Sequence, residues 1–469
     1  MDRSVMTQLE ELLATWLPAQ RWFAGKGTAI DTLRIDSDHI LLPGLPGLRL
    51  LVAEVVQGSR TDRYQVLLGM RAVGAVPDEL VHAVIGTCPA PADLDSPAPV
   101  VVYDAAHDAA MTGHLLSWIA ENRDVGAVRF RAAPGTEVRT GLRSLVITGE
   151  QSNTSLVYGE EYVLKMFRRL WPGTNPDLEL TSALATVDSP HIARPHGWID
   201  VDLVDPASGR TVPTTLAMLQ TYLRSATDGW VLAATSVRDL YASPELAPSE
   251  AGGDFAGEAQ RLGAATAAVH RDLARVLPTG VLSPEGQAHL AATMMARLHT
   301  AVDEVPELAP YAETLYSAFE ALGNTSTDLP VQRIHGDYHL GQVVRTDAGW
   351  VLLDFEGEPA VPVSERQKLS SPLRDVAGML RSFDYAARYQ LVGRTDNPAL
   401  VTAARAWAQR NREAFCAGYT RGGGIDPDLH QVVLRAFEYD KAVYEVLYEA
   451  RHRPHWISIP LDSITALTG

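Results

Sequence analysis

Two aspartates carry the first sign of chemistry. Asp337 lies in Ile334-His335-Gly336-Asp337-Tyr338-His339-Leu340-Gly341-Gln342, and Asp354 ends the apolar run Trp350-Val351-Leu352-Leu353 ahead of Phe355-Glu356. Val343-Val344 and the turn Thr346-Asp347-Ala348-Gly349 lie between them, so the spacing predicts a hairpin joining the two acids. The first acid is on a polar loop. The second closes a buried strand, which aims it at a site beside the strand end. Phosphoryl transfer uses such a pair: one carboxylate orients and deprotonates a hydroxyl, and the other holds Mg²⁺. Gln342 offers a neutral oxygen ligand to the same ion.

Upstream, Lys165 sits in Tyr162-Val163-Leu164-Lys165-Met166-Phe167. Strand alternation puts Val163, Lys165 and Phe167 on one face and Leu164 and Met166 on the other. An ammonium on an apolar strand face needs an anionic partner. In kinases it meets the ATP phosphates and a glutamate on the next helix. Glu179, in Pro176-Asp177-Leu178-Glu179-Leu180, is the first choice for that acid and Asp177 the second. The turn Gly149-Glu150-Gln151-Ser152-Asn153-Thr154 stands where a glycine-rich loop would precede Lys165. GxGxxG is absent, so Gln151, Ser152, Asn153 and Thr154 are expected to approach the phosphates with side chains and backbone N–H groups. Leu219-Gln220-Thr221-Tyr222-Leu223 ends an apolar strand in the place of a kinase hinge, with Gln220 and Tyr222 expected beside adenine.

For an acceptor, Lys441, Tyr444, Tyr448 and Arg451 recur at helical spacing and share one face of a helix over Tyr439 to Arg451. Aromatic faces stack on sugar rings, and Lys and Arg donate to hydroxyls. Asp337 and His339 are expected at the reacting end. Asp375, in Ser371-Pro372-Leu373-Arg374-Asp375, reads as a helix cap.

The elements that must position these groups fall into three stretches, 1–97, 98–222 and 223–469. The proline-rich run Pro89-Ala90-Pro91 to Pro97-Ala98-Pro99 marks the first boundary. Before it, a helix from Gln8 to Trp16 leads into apolar runs at Ile40 to Leu42, Leu48 to Val56 and Tyr64 to Leu68, the pattern of a small antiparallel sheet. Gly25-Lys26-Gly27-Thr28 lacks the phosphate-loop spacing. Three strands follow in succession: Ser144 to Ile147, Thr154 to Tyr158 and Tyr162 to Phe167. From Asp254 the pattern is mostly helical, as in Phe255 to Val276 and Pro284 to Val302.

Composition sets the class. The 469 residues are 46% hydrophobic and 21% charged, as in a folded globular chain. The net charge of −17 disfavours nucleic-acid and anionic-membrane partners but leaves room for a small anion in a locally basic pocket. Cys88 and Cys416 form no CxxC pair and read as reduced thiols. Met1-Asp2-Arg3-Ser4 leads into Leu9-Glu10-Glu11-Leu12-Leu13, which lacks the uninterrupted apolar core of a secretory signal, and no apolar run is long enough to span a membrane. The expected location is the cytoplasm.

His335 to Gln342 and Asp354-Phe355-Glu356 resemble the catalytic and metal motifs of the aminoglycoside-phosphotransferase branch of the protein-kinase-like fold. Gln342 stands where that branch usually has Asn. Within the branch, Gln20-Arg21-Trp22, Glu150 to Ser155, His335 to Gln342, Asp354 to Pro359, Ser371 to Phe383 and the tail Tyr444 to Pro460 resemble the actinobacterial maltokinases, over essentially the whole chain. The resemblance implies an α/β (α+β) bilobal kinase with an N-terminal cap, a β-rich N-lobe and a helical C-lobe. It implies ATP and Mg²⁺ as cofactors, with Gln342 and Asp354 on the metal. It implies transfer of the γ-phosphate to O1 of maltose for α-glucan synthesis, and association with enzymes such as trehalose synthase. A related kinase acting on glucosamine is the rival within the class. A catalytically silent kinase-like binding module is the rival outside it, and the presence of Lys165, Asp337 and Asp354 speaks against that.

Overall fold

In the computed structural model, which describes residues 3–94, 98–147, 152–358, 361, 363–393 and 397–468, apolar spacing turns into two sheets and a helical bundle. Contacts divide the chain into two units, Met1–Ser182 with Ala193–Arg224, and Ala183–Ile192 with Ser225–Gly469. The expected division at 222/223 lies two residues before the observed 224/225, and the one at 97/98 falls within the first unit.

The first unit opens with α1 (Arg3–Trp16), which buries Val5, Leu9 and Leu13 on one stripe. Three long antiparallel strands follow: β1 (Thr32–Leu42), β2 (Gly47–Gln57) and β3 (Arg60–Ala72). With β4 (Val84–Cys88) and β5 (Val100–Asp104) they run in the order β1-β2-β3-β5-β4. β2 is buried along nearly its whole length. Leu51 and Ala53 join the cluster under α1, while Leu50 and Val52 join the core that also holds Leu164 and Met218. Burial of both faces removes the in–out alternation that a half-exposed strand would show.

After α2 (Ala109–Ala120), capped by the Asp108 carboxylate, comes a seven-stranded sheet. Its strands are β6 (Asp124–Val125), β7 (Val128–Ala132), β8 (Ser144–Ile147), β9 (Thr154–Tyr158), β10 (Tyr162–Met166), β12 (Pro195–Val204) and β13 (Thr211–Thr221). Their order is β6-β7-β12-β13-β10-β9-β8, and β11 (Arg169–Leu170) leaves this sheet to pair with β3. α3 (Pro176–Ala185) follows β11.

The second unit carries α4 (Gly229–Tyr241), α5 (Ala256–Val276), α6 (Pro284–Glu304), α7 (Ala312–Gly323), α8 (Val363–Arg366), α9 (Leu373–Arg388), α10 (Pro398–Arg421), α11 (Gln431–His452) and α12 (Ser458–Thr468). Small ladders interrupt them: β14 (Thr227–Asp228) with the hairpin β17 (Val343–Thr346) and β18 (Gly349–Leu352), and β15 (Thr279–Leu282) with β16 (Leu329–Gln332). α9 is buried nearly all round, as a central helix must be. A Cβ at Gly378 would sit 2.5 Å from the Tyr338 carbonyl, so glycine there is what lets the loop carrying Asp337 lie directly on α9. No helix of the described residues is long and apolar enough to cross a membrane.

Candidate active site

The Asp337 loop is fixed from below. Asp375, in the first turn of α9, accepts from the backbone N–H of His335 at 2.8 Å and of Gly336 at 2.9 Å, and pairs with His270 Nε2 at 3.1 Å. It is therefore not the helix cap that the sequence indicated; the cap position is Pro372, which has no side-chain bond. Burial pushes the Asp375 carboxyl up, but the bond and charge of His270, the charge of His335 and the Gly336 N–H together hold it below the ordinary range. Gly336 has φ +86°, a left-handed turn that suits glycine. The His335 ring donates from Nε2 to the Leu353 carbonyl at 2.7 Å and lies 4.8 Å from the Phe355 ring, tying the loop to the strand before Asp354.

Asp337 itself is half-buried, and its Oδ1 is 3.2 Å from Lys441 Nζ on α11. Burial opposes its ionisation, yet the Lys441 charge, the nearby His339 and His335, and the bond from Lys441 bring its pKa below the ordinary carboxylate value. Among the described residues no donor reaches Oδ2. His339 Nδ1 accepts from the Gly341 N–H at 3.1 Å, which assigns the proton of the neutral ring to Nε2.

Gln342 and Asp354 flank the predicted hairpin. The Leu353 N–H donates to the Gln342 carbonyl at 2.9 Å, so the two candidate metal ligands stand at its paired base. Asp354 has φ +62°, a strained conformation for a non-glycine residue, of the kind kept where surrounding structure enforces it. Glu258 on α5 accepts from Arg345 Nε and Trp350 Nε1, both at 3.0 Å, and so holds the two hairpin strands. The donor set, a carboxylate and an amide oxygen, suits a hard cation such as Mg²⁺.

Beside Asp337 opens a cavity of about 870 Å³. Asp337, His339, Lys441, Tyr444, Tyr448 and Arg451, the acceptor residues read from the sequence, all line it. The rings of Tyr444 and Tyr448 stack at 6.3 Å, and those of Tyr448 and His452 at 4.5 Å. Arg451 is already bound by Glu304, with Nη2 at 2.7 Å. Sequence reading missed two acids in the same wall, Glu445 and Glu449. They sit one turn apart beside Tyr444 and Tyr448, so the helical spacing that marked the tyrosines marks them too. Both bonds from Arg381 to Glu445, at 3.0 and 2.6 Å, fall on Oε2. That leaves Oε1 without a protein donor among the described residues. Burial raises the Glu445 pKa against the pull of Arg381. Glu449 is bound by Arg453 at 2.6 Å and by the Tyr385 hydroxyl at 3.1 Å. Arg381 also reaches Asp384 at 3.4 Å, and Arg412 joins Asp384 at 3.5 Å to Glu438 at 2.7 Å, a buried chain of ions running inward from the cavity wall.

On the first unit, Lys165 is buried on β10, 3.1 Å from Asp177 Oδ2. The observed carboxylate is thus the second choice from the sequence. Glu179, the first choice, is two residues on, which places it roughly 200° away around α3. Ser152 is exposed and Asn153 buried; Gln151 lies outside the described residues. Thr154 is buried, and its hydroxyl accepts from Arg168 Nε at 2.7 Å, so it is committed inside the protein, contrary to expectation. At the hinge, the N–H groups of Thr221 and Tyr222 donate to the carbonyls of Arg194 and Glu161, at 2.9 and 2.8 Å. The Tyr222 N–H is therefore taken, and Gln220 is paired across β13 to Val163 and Pro195.

A strand-borne lysine with its helix acid, a braced His-Gly-Asp loop and a second acid at a hairpin base define a kinase-type phosphotransferase. Residues 146–429 match the model of the phosphotransferase enzyme family and residues 16–108 that of the maltokinase N-terminal cap domain, and the chain belongs to the phosphotransferase enzyme family. It has the kinase-like fold, with a β-rich N-lobe, a helical C-lobe and the added cap, and it is an ATP-dependent sugar kinase. Among its relatives, a glucosamine kinase of Streptacidiphilus jiangxiensis is 32% identical over 76% of this chain and 80% of its own. One of Mycolicibacterium smegmatis is 29% identical over 68% and 78%. A solved glucosamine kinase in complex with glucosamine, ADP and inorganic phosphate superposes with a TM-score of 0.67 at 25% identity, covering 98% of this chain and 99% of that one.

Proposed function

We propose that this kinase phosphorylates glucosamine. The observation that carries the reading is the pair of carboxylates, Glu445 and Glu449, set one helical turn apart in the wall of the cavity that Asp337 closes. Glu445 is half-buried, held by Arg381 on one oxygen only, and its pKa is raised. An ammonium group in the cavity would give the oxygen that Arg381 leaves open a charged donor, which a neutral sugar cannot do. The kinship with two glucosamine kinases supports the same acceptor.

In this reading Asp337 Oδ2 accepts the proton of a sugar hydroxyl while Lys441 holds Oδ1. The freed oxygen attacks the γ-phosphorus of ATP, the bond to the β-phosphate oxygen breaks, and ADP leaves. Lys165 neutralises phosphate charge, with Ser152 and Asn153 on the hairpin before it. Gln342 and Asp354 would hold Mg²⁺, which when bound spreads the negative charge of the phosphates. Residues 1–97 form the cap, 98–222 the nucleotide half and 223–469 the acceptor half. The setting is the cytoplasm, where ATP is available.

Maltose is the second reading. The maltokinase-type cap favours it, as does the length of the stacked series Tyr444, Tyr448 and His452 in a cavity with room for two sugar rings. Association with α-glucan enzymes such as trehalose synthase belongs to that reading. The deciding experiment is kcat/KM measured side by side on glucosamine, glucose, N-acetylglucosamine and maltose. Glucosamine should exceed glucose and N-acetylglucosamine by about tenfold or more, the worth of one charge-assisted hydrogen bond. Maltose used more efficiently than glucosamine replaces this acceptor with the second one. No turnover of any of the four by folded protein would rule out both acceptors.

A further inference from the structure

Arg168 follows β10 by two residues and is fully buried. Its Nε donates to Thr154 Oγ1 and its Nη2 to Asp104 Oδ2, both at 2.7 Å. Its guanidinium carbon lies 4.7 Å from the centroid of the Trp22 ring. Thr154 is the first residue of β9, next to Ser152 and Asn153, and is paired with Met166 beside Lys165. Trp22 lies in the cap; Asp104, just past residue 97, is still inside the cap match, and Arg168 and Thr154 lie in the phosphotransferase match. One side chain therefore joins the cap to the strand pair that carries Lys165. Neighbouring bonds repeat the joint: the Gln65 N–H donates to the Arg168 carbonyl at 2.9 Å, the Gln65 side-chain Nε2 to the Phe167 carbonyl at 2.8 Å, and Arg169 pairs with Tyr64 in the strand ladder.

A guanidinium taken out of water needs a countercharge and partners for its N–H groups. Asp104 supplies the charge, Trp22 an aromatic face and Thr154 the acceptor for Nε, while Nη1 has no partner among the described residues. We propose that Arg168 is a positioning residue for the nucleotide, through which the cap holds Thr154, and with it Ser152 and Asn153, against the Lys165 strand. This gives Trp22 a role that no acceptor sugar requires. The inference rests on the nucleotide assignment made above and not on the choice of sugar.

Thr154→Val removes the acceptor and keeps the shape, while Thr154→Ser keeps the hydroxyl. The full chain is titrated calorimetrically with ATP and, separately, with the sugar that the wild type uses best. Thr154→Val should weaken ATP binding about tenfold, the worth of a hydrogen bond to a charged donor, and leave sugar binding within about twofold. Thr154→Ser should restore ATP binding. Arg168→Lys, which keeps charge but loses the fork, should weaken ATP binding too, and add little in the Thr154→Val background. A folded Thr154→Val variant with wild-type ATP affinity overturns the proposal, as does equal weakening of ATP and sugar. ATP bound and turned over by the wild type on any sugar upholds the kinase reading whichever way the variants fall. ATP bound by neither wild type nor variant refutes both.

Discussion

Replacing Asp375 by Asn tests whether the catalytic loop is held by a buried charge or merely by packing. The carboxylate serves three donors: the N–H groups of His335 and Gly336 and the ring of His270. Asn keeps one oxygen and puts an amide NH₂ where the other stood, so at least one donor loses its acceptor and faces another donor. A hydrogen bond to a charged group contributes about 1.5–3 kcal/mol, and a buried donor left unpaired costs about 1–3 kcal/mol. The loss should total about 3 kcal/mol, and it falls on the two residues before Asp337. At about 2–4 °C per kcal/mol for a domain of this size, the unfolding midpoint should drop by about 6–12 °C. A displacement of Asp337 by about 1 Å should lower kcat about 10²-fold, with a smaller change in the KM for ATP. Thermal unfolding and steady-state kinetics on the same preparation give both numbers. Because the folded pKa of Asp375 is depressed, its stabilisation is present above the ordinary carboxylate range and lost as pH falls through the folded value. The midpoints of wild type and variant should therefore converge in acid. Wild-type kcat and midpoint in Asp375→Asn at neutral pH would refute the reasoning.

Asp337→Asn nearly preserves shape and should cost about 10²-fold or more in kcat while ATP binding holds, which rapid-quench and equilibrium binding read separately. Lys441→Met removes the charge that keeps the Asp337 pKa low, so the acidic limb of the kcat/KM profile should move to higher pH; an unmoved limb would take Lys441 out of the tuning. Asp354→Asn should abolish most activity and raise the Mg²⁺ requirement, whereas Gln342→Asn, a neutral ligand shortened by one methylene, should be milder. Equal effects independent of Mg²⁺ would mean that neither residue binds the ion.

The hairpin between Asp337 and Asp354 was legible because its turn and its apolar strands are contiguous, and the shared face of Lys441, Tyr444, Tyr448 and Arg451 on α11 because helical spacing is local. Asp375 was misread for the converse reason. Its partners, His335 and His270, are about 40 and 105 positions away, and a carboxylate near a helix start looks the same whether it caps its own helix or serves another loop. Glu179 was preferred to Asp177 on family habit, though only the facing of α3 decides between them. Thr154 looked like a phosphate ligand because its neighbours are polar; nothing local reveals that Arg168 turns it inward. The first unit hides its layering for a similar reason, since β2 is buried on both faces and no longer alternates.

The ion chain behind Glu445 bears on how this enzyme can change. Glu445 neutralises Arg381, Arg381 is shared with Asp384, and Asp384 with Arg412 and Glu438. On the glucosamine reading, a neutral residue at Glu445 would alter the sugar accepted, and it would leave Arg381 only the longer pair with Asp384 at 3.4 Å. On that reading acceptor preference is tied to the fold. A lineage that moves to a different sugar must either re-balance the interior charges at the same time or leave Glu445 alone and remodel the opposite wall of the cavity.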